Sequence, residues 1–278
     1  MTDAADRTLF SQPADFRDES DALYRVLVGL EERDFDRPTR FKQWTIGEII
    51  THLHIWNWAL EQTLADEQAL IRLVDDFIAQ RETVSLRAFE LRWLGPLRGH
   101  TLLLTWRKQY MQSAERFQGV DPRLRTKWFG PDMSARSNIT ARLMETWAHG
   151  QAIYDLLGLE RVDTDRIRNI AVLGVNTFEW SFKTHGQPLP AVRPHVRLLA
   201  PSGAIWIWNE ESESDLIEGH ATSFCQVVTQ VRNIADTGLK VSGEAARRWM
   251  DIAQCFAGLP EKPPAPGTRF REPSPPHP

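Results

Sequence analysis

LMETWAHGQAI, residues 143–153, places Glu145 and His149 four positions apart in a segment whose apolar residues recur at helical spacing. On an α-helix this spacing puts the carboxylate directly beside the imidazole on one face. An exposed pair of this kind contributes only about 0.2–0.5 kcal/mol and is common. Nothing in the spacing marks a lysine or arginine as the partner of Glu145, so the question is what balances its charge.

Working outward, the pair sits on the last of four long helical segments. Residues 15–34 carry Leu23, Val26, Leu27 and Leu30 on one side and charges on the other, which predicts an amphipathic first helix. In WTIGEIITHLHIW, residues 44–56, Thr45 and Glu48 have the form of a capping box ahead of an apolar run. A second helix starting there carries His52 in its second turn. Residues 70–98 read as helical in pieces, with a break at Gly95-Pro96. TLLLTWRKQYMQSAERFQG, residues 101–119, gives the third long helix and ends on glycine. The Gly-Pro of KWFGPDMSARS is a loop, and Ser134 or Ser137 caps the fourth helix, which runs through Ile139, Leu143 and Trp147 to Gly158. Four such helices with one longer connection predict a four-helix bundle over residues 1–160, a scaffold that builds metal sites from facing helices.

Residues 164–184 predict a further helix. Beyond QPLPAVRP the texture changes: HVRLLAPSGAIWIWNEE, residues 195–211, reads as two short strands about a Pro-Ser-Gly turn. Two helices over 221–236 and 243–258, around the extended LKVSG, complete a smaller α+β domain spanning residues 161–258. The fold class is therefore mostly α. The tail 259–278, rich in proline and poor in apolar residues, is expected to be disordered.

Composition excludes several functions. The 278 residues are 42% hydrophobic and 25% charged, as in folded soluble proteins, and the formal net charge of −4 with no basic run offers no footprint for nucleic acid. The start is polar and acidic rather than leader-like, and no apolar run suits a membrane span, so a cytoplasmic location is expected. Cys225 and Cys255, thirty residues apart in apolar helical patterns, read as buried reduced thiols.

Catalytic zinc sites use three ligands drawn from His and carboxylate and leave a fourth position open. Glu145 and His149 supply two, and His52 supplies a third from a facing helix. His54 competes with His52 but points to a different side of the same helix. The donor set suits Zn²⁺ and does not exclude Fe²⁺, Ni²⁺ or Co²⁺.

WTIGEIITHLHIW, followed about ninety residues later by LMETWAHGQAIYDLLG, resembles the metal-binding helices of the DinB-like superfamily, and more closely the branch that contains mycothiol-dependent maleylpyruvate isomerase. WFGPDMS and the segments TSFCQVVTQVRNIADTGLKVSG and WMDIAQCFAG resemble an uncharacterised metal-binding subgroup of that branch, and the likeness covers roughly residues 15–258. The resemblance implies a divalent metal, zinc foremost, held by His52, Glu145 and His149. It also implies a low-molecular-weight thiol, mycothiol or glutathione-like, activated on that metal toward an electrophilic substrate in S-transfer or isomerisation. Many members carry an acidic residue three positions after the second histidine, and here that position is Ala152. Any outer hydrogen bond to a ligand must then come from elsewhere, and Asp155 lies too far along the helix.

Trp44, Trp56, Trp128, Phe129 and Trp147 stand beside the ligands in sequence and read equally as a pocket wall or as bundle core. Arg136 and Arg142 are candidates for a substrate carboxylate, with a solvated role the simpler reading. Arg232 and His220 are weaker candidates in the second domain. Two other classes remain open: a metal held for structure or ligand binding alone, and a metal-dependent hydrolase with water as nucleophile.

Overall fold

In the computed structural model, which describes residues 10–129 and 132–273, the chain divides at Gly150/Gln151 into two compact units. The division falls ten residues before the expected boundary, inside the helix that carries Glu145 and His149.

The first unit is the expected bundle. Helix α1 (Gln12–Leu27) buries Phe16, Leu23 and Leu27 completely. It stops well before residue 34, because Val28 and Gly29 lead into a 3₁₀ turn at Glu32–Asp36. Helix α2 (Ile46–Ala65) opens with the predicted capping box: Glu48 N–H donates to Thr45 Oγ1 at 3.1 Å and Thr45 N–H donates to Glu48 Oε2 at 2.8 Å. The ambiguous 70–98 region forms two helices, α3 (Glu67–Gln80) and α4 (Leu86–Leu94), ending at Gly95 with φ of +69°. Both pack on α2, where Ile55, Trp56 and Ala59 meet Leu70, Leu73 and Phe89. This explains why α2 is apolar nearly all round: it is covered on one side by the bundle and on the other by α3 and α4. Each such large side chain contributes roughly 1.5–3 kcal/mol on burial.

Helix α5 (Gly99–Gln118) buries Leu102, Leu103, Trp106, Tyr110 and Phe117 and packs against both α1 and α2. A two-stranded ribbon, β1 (Arg125–Thr126) and β2 (Met133–Ser134), then leads into α6 (Ala135–Leu156). Ser137 N–H donates to Ser134 Oγ at 3.1 Å, so Ser134 is the cap. Gly130 and Pro131, expected in a loop, lie outside the described residues.

In the second unit the expected 164–184 helix is broken into a 3₁₀ turn, α7 (Arg168–Asn176) and α8 (Phe178–Thr184). The break falls at Thr177, whose hydroxyl donates to Leu173 O at 2.8 Å and competes with the helical ladder. Four strands form one sheet in the order β4-β3-β5-β6: β3 (His195–Leu199), β4 (Ile205–Trp208), β5 (Leu216–His220) and β6 (Lys240–Ser242). β3 and β5 run parallel and the other pairs antiparallel. Helix α9 (Ala221–Val228) and helix α10 (Glu244–Ile252) complete the unit, and its core joins Val196, Leu198 and Ile217 with Phe224, Phe178 and Trp249. Gly174 permits close approach of α7 to α9, since a Cβ there would meet Val228 Cγ2 at 2.8 Å.

The tail departs from the expected disorder as far as residue 273. Gln230 Nε2 donates to Glu261 O at 2.9 Å, Asn233 Nδ2 to Pro264 O at 2.8 Å, and Gly267 N–H to Asp236 Oδ1 at 2.9 Å. Proline-rich backbone lacks donors but keeps its carbonyls, and side chains of the second unit satisfy them. Residues 274–278 lie outside the described residues. Among the described residues no helix is long and apolar enough to cross a membrane.

Candidate metal centre

The capping box fixes where α2 begins, and with it the turn that carries His52; α6 brings Glu145 and His149 opposite. His52 Nε2 lies 3.5 Å and His149 Nε2 3.1 Å from the same oxygen, Glu145 Oε2. The three ligand atoms all fall within 4.8 Å of one another, the only such group of three or more among the described residues. Around a tetrahedral zinc with bonds of ~2.0–2.1 Å, ligand atoms stand about 3.3 Å apart. Two of the three separations match that figure, and the donor set of two imidazoles and one carboxylate fits a divalent ion. His54 is also buried but turns away, its ring 5.8 Å from Trp93.

The electrostatics are those of two carboxylates, Glu90 and Glu145, set against Arg142 and the two imidazoles. Burial pulls the His52 pKa down, yet the carboxylates of Glu90 and Glu145 outweigh it and hold the imidazole at about 9. Burial would raise Glu145, but hydrogen bonds from His149 and His52 and the charge of Arg142 hold its carboxyl well below the ordinary carboxylate range. His149 is lowered, by burial first and then by the neighbouring His52.

Arg142 overturns two readings. It is 4% exposed rather than solvated, and its Nη2 lies 3.8 Å from Glu145 Oε1, so Glu145 has an arginine beside it three residues back on the same helix. Its Nε is buried with no hydrogen-bond partner among the described residues, and the guanidinium lies 5.8 Å from the Trp128 ring centre. Arg136 lies over the Phe10 ring instead. In the second unit Arg232 is tied to Asp155 at 2.6 Å, a buried structural pair, and His220 is exposed at the start of α9.

The aromatic residues divide. Trp147 is wholly buried and belongs to the core. Trp44 stacks on His149 at 6.0 Å and 9° and meets His52 edge-on at 5.5 Å. Trp56 adjoins His52 at 6.4 Å and also meets Trp128 and Phe129, each at 6.2 Å.

Two residues that the sequence did not mark complete the site. Phe41 meets His149 edge-on at 4.9 Å, delivered by a loop in which Lys42 and Gln43 both take positive φ, 50° and 58°. Glu90, from α4, receives His52 Nδ1 at 2.7 Å and is 1% exposed. Its signal was present: Glu90 occupies the apolar stripe between Leu86 and Leu94, where a carboxylate needs a partner.

Comparison with known proteins bears on the fold and the family. Residues 16–154 match the family model described as the mycothiol maleylpyruvate isomerase N-terminal domain. Two uncharacterized proteins, from two strains of Mycobacterium tuberculosis, are each 38% identical over 249 residues, covering 89% of this chain and 95% of theirs. The crystal structure of the mycothiol-dependent maleylpyruvate isomerase shares the fold at a TM-score of 0.52 and 16% identity, covering 84% of this chain and 93% of that one. That of a histidine-to-alanine mutant of the isomerase also has a TM-score of 0.52, at 15% identity. With half its length in the matched segment and close relatives along most of the rest, the chain belongs to the mycothiol maleylpyruvate isomerase N-terminal domain family.

Proposed function

We propose that this protein is a metal-dependent enzyme that uses a low-molecular-weight thiol, mycothiol or a close analogue, as an S-transferase or isomerase. The observation that carries the reading is the convergence of His52, Glu145 and His149 on one point, with two imidazole nitrogens directed at one carboxylate oxygen. A divalent ion there, zinc foremost, supplies a Lewis acid that favours the thiolate of a small thiol as nucleophile toward an electrophilic substrate.

The residues of the chain suit that chemistry. With neutral imidazoles, the carboxylates of Glu90 and Glu145 against the guanidinium of Arg142 leave one negative charge, and a divalent cation turns this into one positive charge. A partly buried centre with one unit of positive charge would favour an anionic partner such as a thiolate. Trp44 and Phe41 shield the histidines from water on one side, which strengthens every charge interaction within. The hydrolase alternative is less well served, because both carboxylates of the site are engaged: Glu145 as a candidate ligand and Glu90 with His52 and Trp56. Cys225 is no competing nucleophile, since burial raises its thiol well above the ordinary range.

The test is spectroscopic. Protein reconstituted with Co²⁺ and titrated with mycothiol is expected to gain a saturable near-ultraviolet sulfur-to-cobalt absorption. A spectrum unchanged by mycothiol or any other small thiol contradicts the proposed thiol chemistry.

A further inference from the structure

We propose that Glu90 is a positioning residue that sets the metal affinity of this site by fixing the tautomer and orientation of His52. The proposal rests on the metal-site reading above. Its basis is a single oxygen: Glu90 Oε1 accepts from His52 Nδ1 and from Trp56 Nε1, each at 2.7 Å. An indole nitrogen can only donate and an ionised carboxylate can only accept, so the polarity of this junction is settled. His52 must carry its proton on Nδ1 when neutral, which leaves the Nε2 lone pair facing Glu145 and the ligand position.

Among the described residues, Glu90 hydrogen-bonds through its side chain to His52 and Trp56 and to no other side chain. It is 1% exposed on α4, flanked by Phe89 at 2% and Leu94 at 6%, and an unpaired carboxylate in such a place is costly. Trp56, one turn after His52 on α2, holds the carboxylate from one side while His52 uses it from the other. The two metal histidines are thereby unequal. His149 has a buried Nδ1 with no hydrogen-bond partner among the described residues, and Ala152, three positions on, has no hydrogen-bonding side chain. His52 is the anchored ligand, held by an element that carries no ligand of its own. Outer carboxylates of this kind raise ligand basicity and lock ring orientation, and their loss weakens metal binding by about 10–100-fold.

The experiment measures zinc affinity by chelator competition on the full-length protein, comparing wild type with Glu90→Ala, Glu90→Gln and Trp56→Phe. Proton NMR of the zinc-loaded forms, with ¹⁵N-labelled histidine, follows the Nδ1–H of His52. Glu90→Ala should bind zinc about 10–100-fold more weakly. Glu90→Gln, which keeps the shape and a neutral acceptor, and Trp56→Phe should fall between it and wild type. The far-downfield Nδ1–H resonance expected of a carboxylate-bound imidazole should move upfield in Glu90→Gln, a change that a merely space-filling role would not produce. If Glu90→Ala does not fold, the isosteric Glu90→Gln decides alone. Equal zinc affinity in wild type and Glu90→Gln, with the proton unmoved, overturns the proposal and leaves the metal site standing. Zinc bound by none of the forms overturns the metal site and the proposal together.

Discussion

His52 and His54 stand two residues apart on α2 and experience opposite environments. Two positions on a helix is about 200° of rotation, so one ring faces the carboxylates while the other enters an apolar layer beside Trp93 and Gln109. Burial lowers the His54 pKa to about 4, with the Gln109 amide acting in the opposite sense. Because the folded value lies below the unfolded value near 6.5, the unfolded chain binds the proton first as pH falls. The contribution of His54 to stability is therefore present above pH 6.5 and is lost progressively between 6.5 and 4, by roughly 3 kcal/mol at most. Urea unfolding across that range should show a shallower acid loss for His54→Phe than for wild type; identical slopes would remove His54 as a cause. At this scale the sequence was informative where spacing was local. Glu145 and His149 share a turn, and the capping box counted His52 onto the face that meets Glu145. Arg142 was misjudged as solvated because spacing alone does not reveal burial. Glu90 was missed because its partner lies 38 residues away.

Elements follow the same distinction between local and distant causes. The start of α2 was readable from Thr45 and Glu48, since a cap is a local hydrogen-bonded device. Strand β5 went unread because its parallel partner β3 is separated from it in sequence by β4, and Gly219 weakens its pattern. The tail was misread for a related reason: composition reports whether a segment builds its own core, not whether another surface satisfies its carbonyls. Deletion of residues 259–278 provides the check. The lost hydrogen bonds, donated by Gln230 and Asn233 and accepted by the Asp236 carboxylate, contribute on the order of 1 kcal/mol each, partly offset by the entropy of ordering the tail. The truncated protein should melt several degrees lower by calorimetry. An unchanged melting temperature would mean that the tail contributes nothing to the second unit.

At the scale of the whole molecule, His52, Glu145 and His149, the aromatic shield and Glu90 all lie in the first unit, within the segment matched by the family model. The identity of metal and thiol was not written in spacing, because two imidazoles and a carboxylate serve several divalent ions equally well. The central claim is that Glu145, His52 and His149 share one divalent cation. Elemental mass spectrometry of untagged protein, wild type beside His149→Ala, tests it most directly. About one equivalent of a divalent metal in wild type and little in the variant is the predicted result. No metal in either form, even after reconstitution with zinc, would contradict it.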